Sequence, residues 1–165
     1  MATHDWALLA RIALGFGLAF VLGFERELRG SPAGDRTFAL VGAASAAVTA
    51  VAARSSPQAV AGVVTGVGFI GAGVLIQGEG GMIYGVTTAA AIFASAAIGV
   101  VVGYGHLVLG AVTMVGVLFI LELPHVRVLS FLDARRYHKR FAEDFEPPPE
   151  NAQERPSPTG LDELA

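Results

Sequence analysis

Apolar residues run along this sequence in long blocks, with polar residues gathered in short breaks between them. Five blocks approach the length of about 20 residues that a helix needs to cross roughly 30 Å of hydrocarbon. They cover about residues 7–24, 38–53, 59–76, 86–102 and 107–121. The breaks are ERELRGSPAGDR (25–36), RSSPQ (54–58), the Gly-rich QGEGGMIYG (77–85) and GYG (103–105), and Pro124 stops the last block. The GYG turn predicts that the fourth and fifth elements form an antiparallel pair. The blocks are continuous and rich in Ala, whereas a membrane barrel needs alternating strands of about 10 residues. The pattern therefore predicts an all-α, polytopic membrane protein with five transmembrane helices within residues 1–124.

Composition strengthens this picture. The 165 residues are 53% hydrophobic and 15% charged, with a mean hydropathy of +0.59. Between residues 6 and 121 lie only 9 of the 25 charged residues, and none falls within 37–53, 55–78 or 80–121. A soluble helix needs a polar face, and the last of those stretches runs 42 residues without a charge. An ordinary soluble domain is excluded. So are a disulfide framework and any thiol site, because the chain has no Cys.

Lys and Arg set the expected orientation. The first break holds Arg26, Arg29 and Arg36, and the region after the fifth block holds Arg127, Arg135, Arg136, Lys139, Arg140 and Arg155. Five crossings put both regions on one side, which places the N-terminus outside and the C-terminus in the cytoplasm, as for a multi-pass protein of the bacterial inner membrane. The first residues carry Asp5 and no basic group, and GFERE is a poor cleavage site, so the first block reads as a retained helix rather than a signal peptide. Residues 125–142 are basic, with Val128, Phe131, Leu132 and Arg135 at helical spacing. Two readings stand for this segment: an interfacial helix on the anionic leaflet, or plain positive-inside flanking sequence. Residues 143–165 are acidic and Pro-rich, and are expected to be disordered. Net charge is +3 over residues 1–142 (10 basic, 7 acidic) and −6 over 143–165 (1 basic, 7 acidic), so the overall −3 belongs to the tail.

Candidate chemistry gathers in three places. The first is the break after the first block, where Glu25, Arg26, Glu27, Asp35, Arg36 and Thr37 lie at the same membrane face as Thr87 and Thr88, which begin the fourth block. These residues form either a solvated interface, with the threonines capping a helix, or an ion-pair network closing a polar site at the cytoplasmic face. The second is Arg11, about one turn inside the outer end of the first block. It either snorkels to the interface or faces other helices across a small-residue surface, and intramembrane ionisable groups are functional suspects. The third is a set of glycines at close-packing spacing: Gly62, Gly66, Gly68, Gly71 and Gly73, then Gly99 and Gly103. They serve helix packing within one subunit or contact in a homo-oligomer, of which a dimer is favoured. GVGFIGAG (66–73) is denser in Gly than packing requires and is expected to be irregular or broken. It contains GxGxxG, but no strand–helix unit surrounds it, so a dinucleotide site fails its context test. His4, His106, His125 and His138 share no ligand spacing, and HExxH, Walker and nucleophile-elbow motifs are absent. No enzyme and no nucleic-acid partner is expected.

Taken in order, GFERE (23–27), AGDRT (33–37), GVGFIGAG (66–73), GVTTAAAIFASAAIG (85–99) and GYG resemble the MgtC/SapB family of small bacterial inner-membrane proteins. The match covers roughly residues 11–112. The resemblance implies five transmembrane helices, an external N-terminus and a cytoplasmic C-terminus. It also implies a polar cluster on Glu25, Arg26, Arg36 and Thr37 faced by Thr87 and Thr88. Family members are associated with magnesium homeostasis, with acid or virulence adaptation, and with inhibition of the F-type ATP synthase. The sequence departs from the family pattern at Asp35, where an apolar residue is usual, and at Phe93, where Trp is usual. Longer members also carry a folded domain after the fifth span, where this sequence reads as a basic stretch and an acidic tail.

Two functions follow as expectations. One is a regulator of another membrane complex, either the F-type ATP synthase or a transporter, working in magnesium homeostasis or stress adaptation through helix contacts in the bilayer. The other is an oligomeric transporter or channel for a cation such as Mg²⁺. No cofactor is expected beyond that ion, for which one or two carboxylates with retained waters suffice.

Overall fold

The computed structural model describes residues 3–52, 55–77 and 83–123. All five expected segments are helical: α1 (Thr3–Leu28), α2 (Asp35–Ala52), α3 (Pro57–Val74), α4 (Val86–Gly103) and α5 (Leu107–Glu122). Between α3 and α4, β1 (Ile76–Gln77) pairs antiparallel with β2 (Ile83–Tyr84), with Ile76 opposite Tyr84. The interfacial helix and disordered tail expected in residues 125–165 lie outside the described residues.

The helix ends follow local chemistry. α1 runs past Phe24 through Glu25, Arg26, Glu27 and Leu28, because these are good helix formers and no breaker intervenes. It stops at Gly30, which adopts φ 70°; the Gly30 N–H bonds Glu27 O at 3.0 Å and the Ser31 N–H bonds Arg26 O at 3.0 Å. That pair of bonds is a Schellman motif. α4 ends the same way: Gly105 has φ 97°, its N–H bonds Val102 O at 2.9 Å, and the His106 N–H bonds Val101 O at 3.1 Å. α3 opens on Pro57, whose ring presets a helical φ. The expected break in residues 66–73 does not occur, since α3 is continuous through them. In an apolar medium every backbone N–H must be satisfied within the segment, which keeps the helical ladder despite the glycines.

Packing centres on three helices. Gly15 and Ala19 of α1 lie against Gly42 and Ala46 of α2, and Gly23 lies against Asp35 and Phe38. These contacts ascend one helix and descend the other, so α1 and α2 are antiparallel. On its other side α2 meets α4: Ser95 with Phe38, Gly99 with Gly42 and Ser45, Gly103 with Ala46 and Thr49. This order ascends both helices, so α2 and α4 are parallel and α3 is the crossover between them. Leu22, Phe38, Ile92, Ile98 and Val102 are fully buried in this unit.

Polarity is arranged for lipid. The polar residues Ser45, Thr49, Thr88 and Ser95 are buried, while large apolar side chains face outward. Phe16, Phe20 and Phe24 form an exposed stack along α1, with centroids 6.1 and 6.3 Å apart. Among the described residues, α1, α3 and α4 are long and apolar enough to cross a membrane. α2 carries Asp35 and Arg36 in its first turn, and α5 has 16 residues, about 24 Å of helix.

Candidate functional site

One end of the bundle collects the charged groups because the Schellman turn at Gly30 folds the chain back from α1 into α2. The side chains of Glu25 and Arg26 are 13% and 14% exposed, and their nearest atoms are 3.7 Å apart. Arg29, one turn after Glu25, places Nε 3.4 Å from Glu25 Oε1. Its Nη2 reaches across to the last residue of α5 and donates to both carboxylate oxygens of Glu122, at 2.6 and 2.5 Å. This hydrogen bond, with Glu25 adding in the same direction, holds the Arg29 guanidinium above its ordinary value. Both Glu25 oxygens and Arg26 Nε are buried without a hydrogen bond among the described residues.

Glu27 has a different task. Its Oε2 accepts the Asp35 backbone N–H at 3.1 Å, which places a negative charge at the positive end of α2. The absence of a side chain at Gly34 makes room for that carboxylate. Asp35 in turn accepts the Arg36 backbone N–H at 2.5 Å. Beside them opens a cleft of about 490 Å³ lined by Glu27, Ser31, Asp35, Arg36 and Thr37, with Pro32 and Gly34. Arg36 is exposed there and pairs with no carboxylate among the described residues. The expected ion-pair network thus divides in two: Glu25 and Arg26 join it, while Glu27, Arg36 and Thr37 line a separate cleft.

The threonines also divide. Thr88 is buried and shares a 3.0 Å hydrogen bond with Ser31 of the α1–α2 turn, whereas Thr87 is exposed. Neither caps α4: the N-cap is Gly85 at φ 89°, where any side chain would collide with Val74 O. At the opposite end, Arg11 is half-buried and donates from Nη1 to Gly103 O at 3.2 Å, with its guanidinium against Gly105. It holds the carbonyl end of α4, where a cation is favoured.

The glycines separate more sharply still. A β-carbon on Gly99 would fall 2.8 Å from Ser45 Cβ and closer to Gly42 O, and one on Gly103 would fall 2.6 Å from Thr49 Cβ. On α3, Gly71 makes ordinary contact with Ala89 at 3.6 Å. Gly62, Gly66, Gly68 and Gly73 have open space where a side chain would stand. Gly66 lines an apolar groove of about 370 Å³ between α2 and α3, with Leu40, Ala44, Val48, Val63 and Ile70 among its walls.

Sequence reasoning missed Arg29, Ser31 and Glu122 as working parts. The available signal was that Glu122 is the first charged residue after 42 uncharged ones. Among the described residues no group of three or more His, Asp or Glu is placed to hold a metal ion.

The sequence is similar to those of known proteins. The model of the MgtC family matches residues 12–127. The chain is 42% identical over 142 residues to "Protein MgtC" of Brucella abortus (strain 2308), covering 79% of this chain and 59% of that protein. It is 39% identical over 145 residues to "Putative magnesium transporter YhiD" of Escherichia coli (strain K12), covering 79% and 64%. It is 36% identical over 127 residues to "Protein SrpB" of Synechococcus elongatus, covering 66% and 70%. The chain spans about three fifths of the length of the first of these relatives. No solved structure matches it.

Proposed function

We propose, because this chain belongs to the MgtC family, that it regulates another membrane complex by helix contact within the bacterial inner membrane. The carrying observation is the open glycine face of α3 beside the apolar groove on α2. Small residues let helix backbones approach closely, so packing takes the place of the hydrophobic drive that lipid removes. A face left open in one subunit suits a transmembrane helix of a second copy or of a target such as the F-type ATP synthase or a transporter. In this reading the N-terminus is outside and the Arg29–Glu122 end faces the cytoplasm, as the Lys and Arg distribution favours. The role is non-enzymatic and belongs to magnesium homeostasis or stress adaptation.

The test is photo-crosslinking in native membranes from Phe69, which is 83% exposed on α3. A discrete crosslinked protein that disappears in Gly66→Leu is the expected result. Crosslinks to lipid alone overturn the reading.

A second reading, an oligomeric Mg²⁺ transporter, is favoured by the two carboxylates in the cleft and by the name of the YhiD relative. Hydrated Mg²⁺ is bound through one or two carboxylates with its remaining waters kept. Mg²⁺ flux in proteoliposomes that Glu27→Gln and Asp35→Asn abolish supports it; absence of flux, or flux unchanged in both variants, removes it. Flux unchanged in Glu25→Ala tells against any part for the ion network.

A further inference from the structure

The geometry points to a site for one phospholipid with an amine headgroup, its head in the polar cleft and one acyl chain in the groove between α2 and α3. The two cavities share a face of α2. Arg36 and Thr37 line the cleft, and Leu40 and Val41, one turn further along, line the groove. Arg36, Leu40, Ala44 and Val48 follow at intervals of four, and all are exposed. One helical track therefore passes from charge to hydrocarbon, which is the order of groups in a lipid held at a membrane surface.

The head is specified by charge. The cleft sets one guanidinium and two carboxylates around a single space. Arg36 pairs with no carboxylate among the described residues, so its fork of N–H donors is open to a phosphate. Glu27 uses Oε2 on the Asp35 N–H and Asp35 uses Oδ1 on the Arg36 N–H, and the second oxygen of each accepts nothing among the described residues. A primary ammonium brings three N–H donors to those oxygens. A quaternary ammonium brings none, and a glycerol head carries no positive charge. The cleft thus matches phosphatidylethanolamine and discriminates against phosphatidylcholine and phosphatidylglycerol.

The chain is specified by depth. Val41, Ser45 and Val67 are buried and form the floor of the groove, while the exposed Leu40, Val48 and Ile70 stand at its rim. Leu40 to Val48 spans about 12 Å of helix, against about 15 Å of hydrocarbon in one leaflet. An empty groove forfeits van der Waals contacts along both walls, and in lipid these contacts are what holds surfaces together. An acyl chain supplies them and leaves the glycine face of α3 open for the contact proposed above, so either assignment can fail without the other. It also sets an amine where the second reading sets Mg²⁺, and lipid retention is read independently of flux.

The test is native mass spectrometry of the full chain released from nanodiscs of phosphatidylethanolamine, phosphatidylglycerol and phosphatidylcholine in equal parts, all with the same acyl chains. The expected result is a retained lipid that is phosphatidylethanolamine over either competitor by about fivefold, the worth of one exposed ion pair. Arg36→Gln should lower that retention by a similar factor. Glu27→Gln combined with Asp35→Asn, which keeps an acceptor for each backbone N–H, should remove the preference. Ala44→Phe, which fills the groove and leaves the cleft intact, should also lower retention. Arg36 and Ala44 are both exposed, so neither substitution disturbs the core. Equal retention of the three lipids by the unsubstituted protein means an unselective annulus and overturns the site, as does retention unchanged in Arg36→Gln or in Ala44→Phe. Glycerophosphoethanolamine, the head without its chains, should not be retained. If it is held as strongly as the lipid, the cleft serves a soluble amine phosphate and the assignment to a lipid falls.

Discussion

Two GxxxG pairs of this chain have opposite fates. Gly99 and Gly103 on α4 are closed against α2 so tightly that a methyl group would overlap it, while Gly62 and Gly66 on α3 face open space. The spacing is the same and the neighbours differ. α2 offers α4 small residues, Gly42, Ser45, Ala46 and Thr49, which admit another backbone. The groove beside Gly66 is walled on the α2 side by Leu40, Ala44, Ser45 and Val48, and no atom of another helix stands within 4 Å of where a Gly66 β-carbon would be. A small-residue motif is therefore a seam only where another backbone closes on it.

Substitutions at these positions break or sharpen the contrast. The largest effect is expected from Gly99→Leu. Overpacking costs about 1–3 kcal/mol or more, and here the obstacle is backbone on α2, so no folded protein should survive detergent extraction. Gly62→Leu should extract normally, and equal loss of both would mean that α3 is packed after all. Next is Arg11→Ala, which removes a charge-assisted hydrogen bond from the α4 end of the seam. It should lower stability by about 2 kcal/mol in SDS titrations followed by circular dichroism, with partial recovery in Arg11→Lys. A change of opposite sign is expected on α3: Gly62→Ala and Gly68→Ala should raise stability by up to about 1 kcal/mol, because helix propensity improves and nothing is displaced. A decrease would mean that these positions are already occupied in the membrane. The smallest effect is expected from Ser95→Ala, which loses the buried 3.0 Å bond to Phe38 O. Intramembrane hydrogen bonds average about 0.6 kcal/mol, so a drop well above that would assign the seam to polar glue rather than close approach.

The elements were legible in sequence because lipid imposes one rule on every crossing, a continuous apolar run. Gly30, Pro57 and Gly105 punctuate the runs where helices end or begin. The end of α1 was harder to place, since Glu25–Leu28 is polar enough to read as loop yet consists of good helix formers. The site was legible as a neighbourhood and not as a set of partners. Glu25 and Arg26 are adjacent in sequence, but Arg29 and Glu122 are 93 residues apart, and only the fold brings them together. Arg36 illustrates the reverse case: the sequence left a solvated end and an ion pair both open for it, and its side chain lines the cleft without a carboxylate partner among the described residues. The state of each glycine pair was not legible at all, because it depends on side chains of another helix.

The parallel alignment of α2 and α4 has a consequence for synthesis. As the chain emerges, α1 and α2 can join at once, and α3 follows them into the bilayer before the second half of the seam exists. α4 must then enter and find a slot on α2 that α3, next in sequence, does not fill. A nascent chain stopped after α3 would hold an unfinished wall of Gly42, Ser45 and Thr49 facing lipid, and the core would close only when the fourth helix is released.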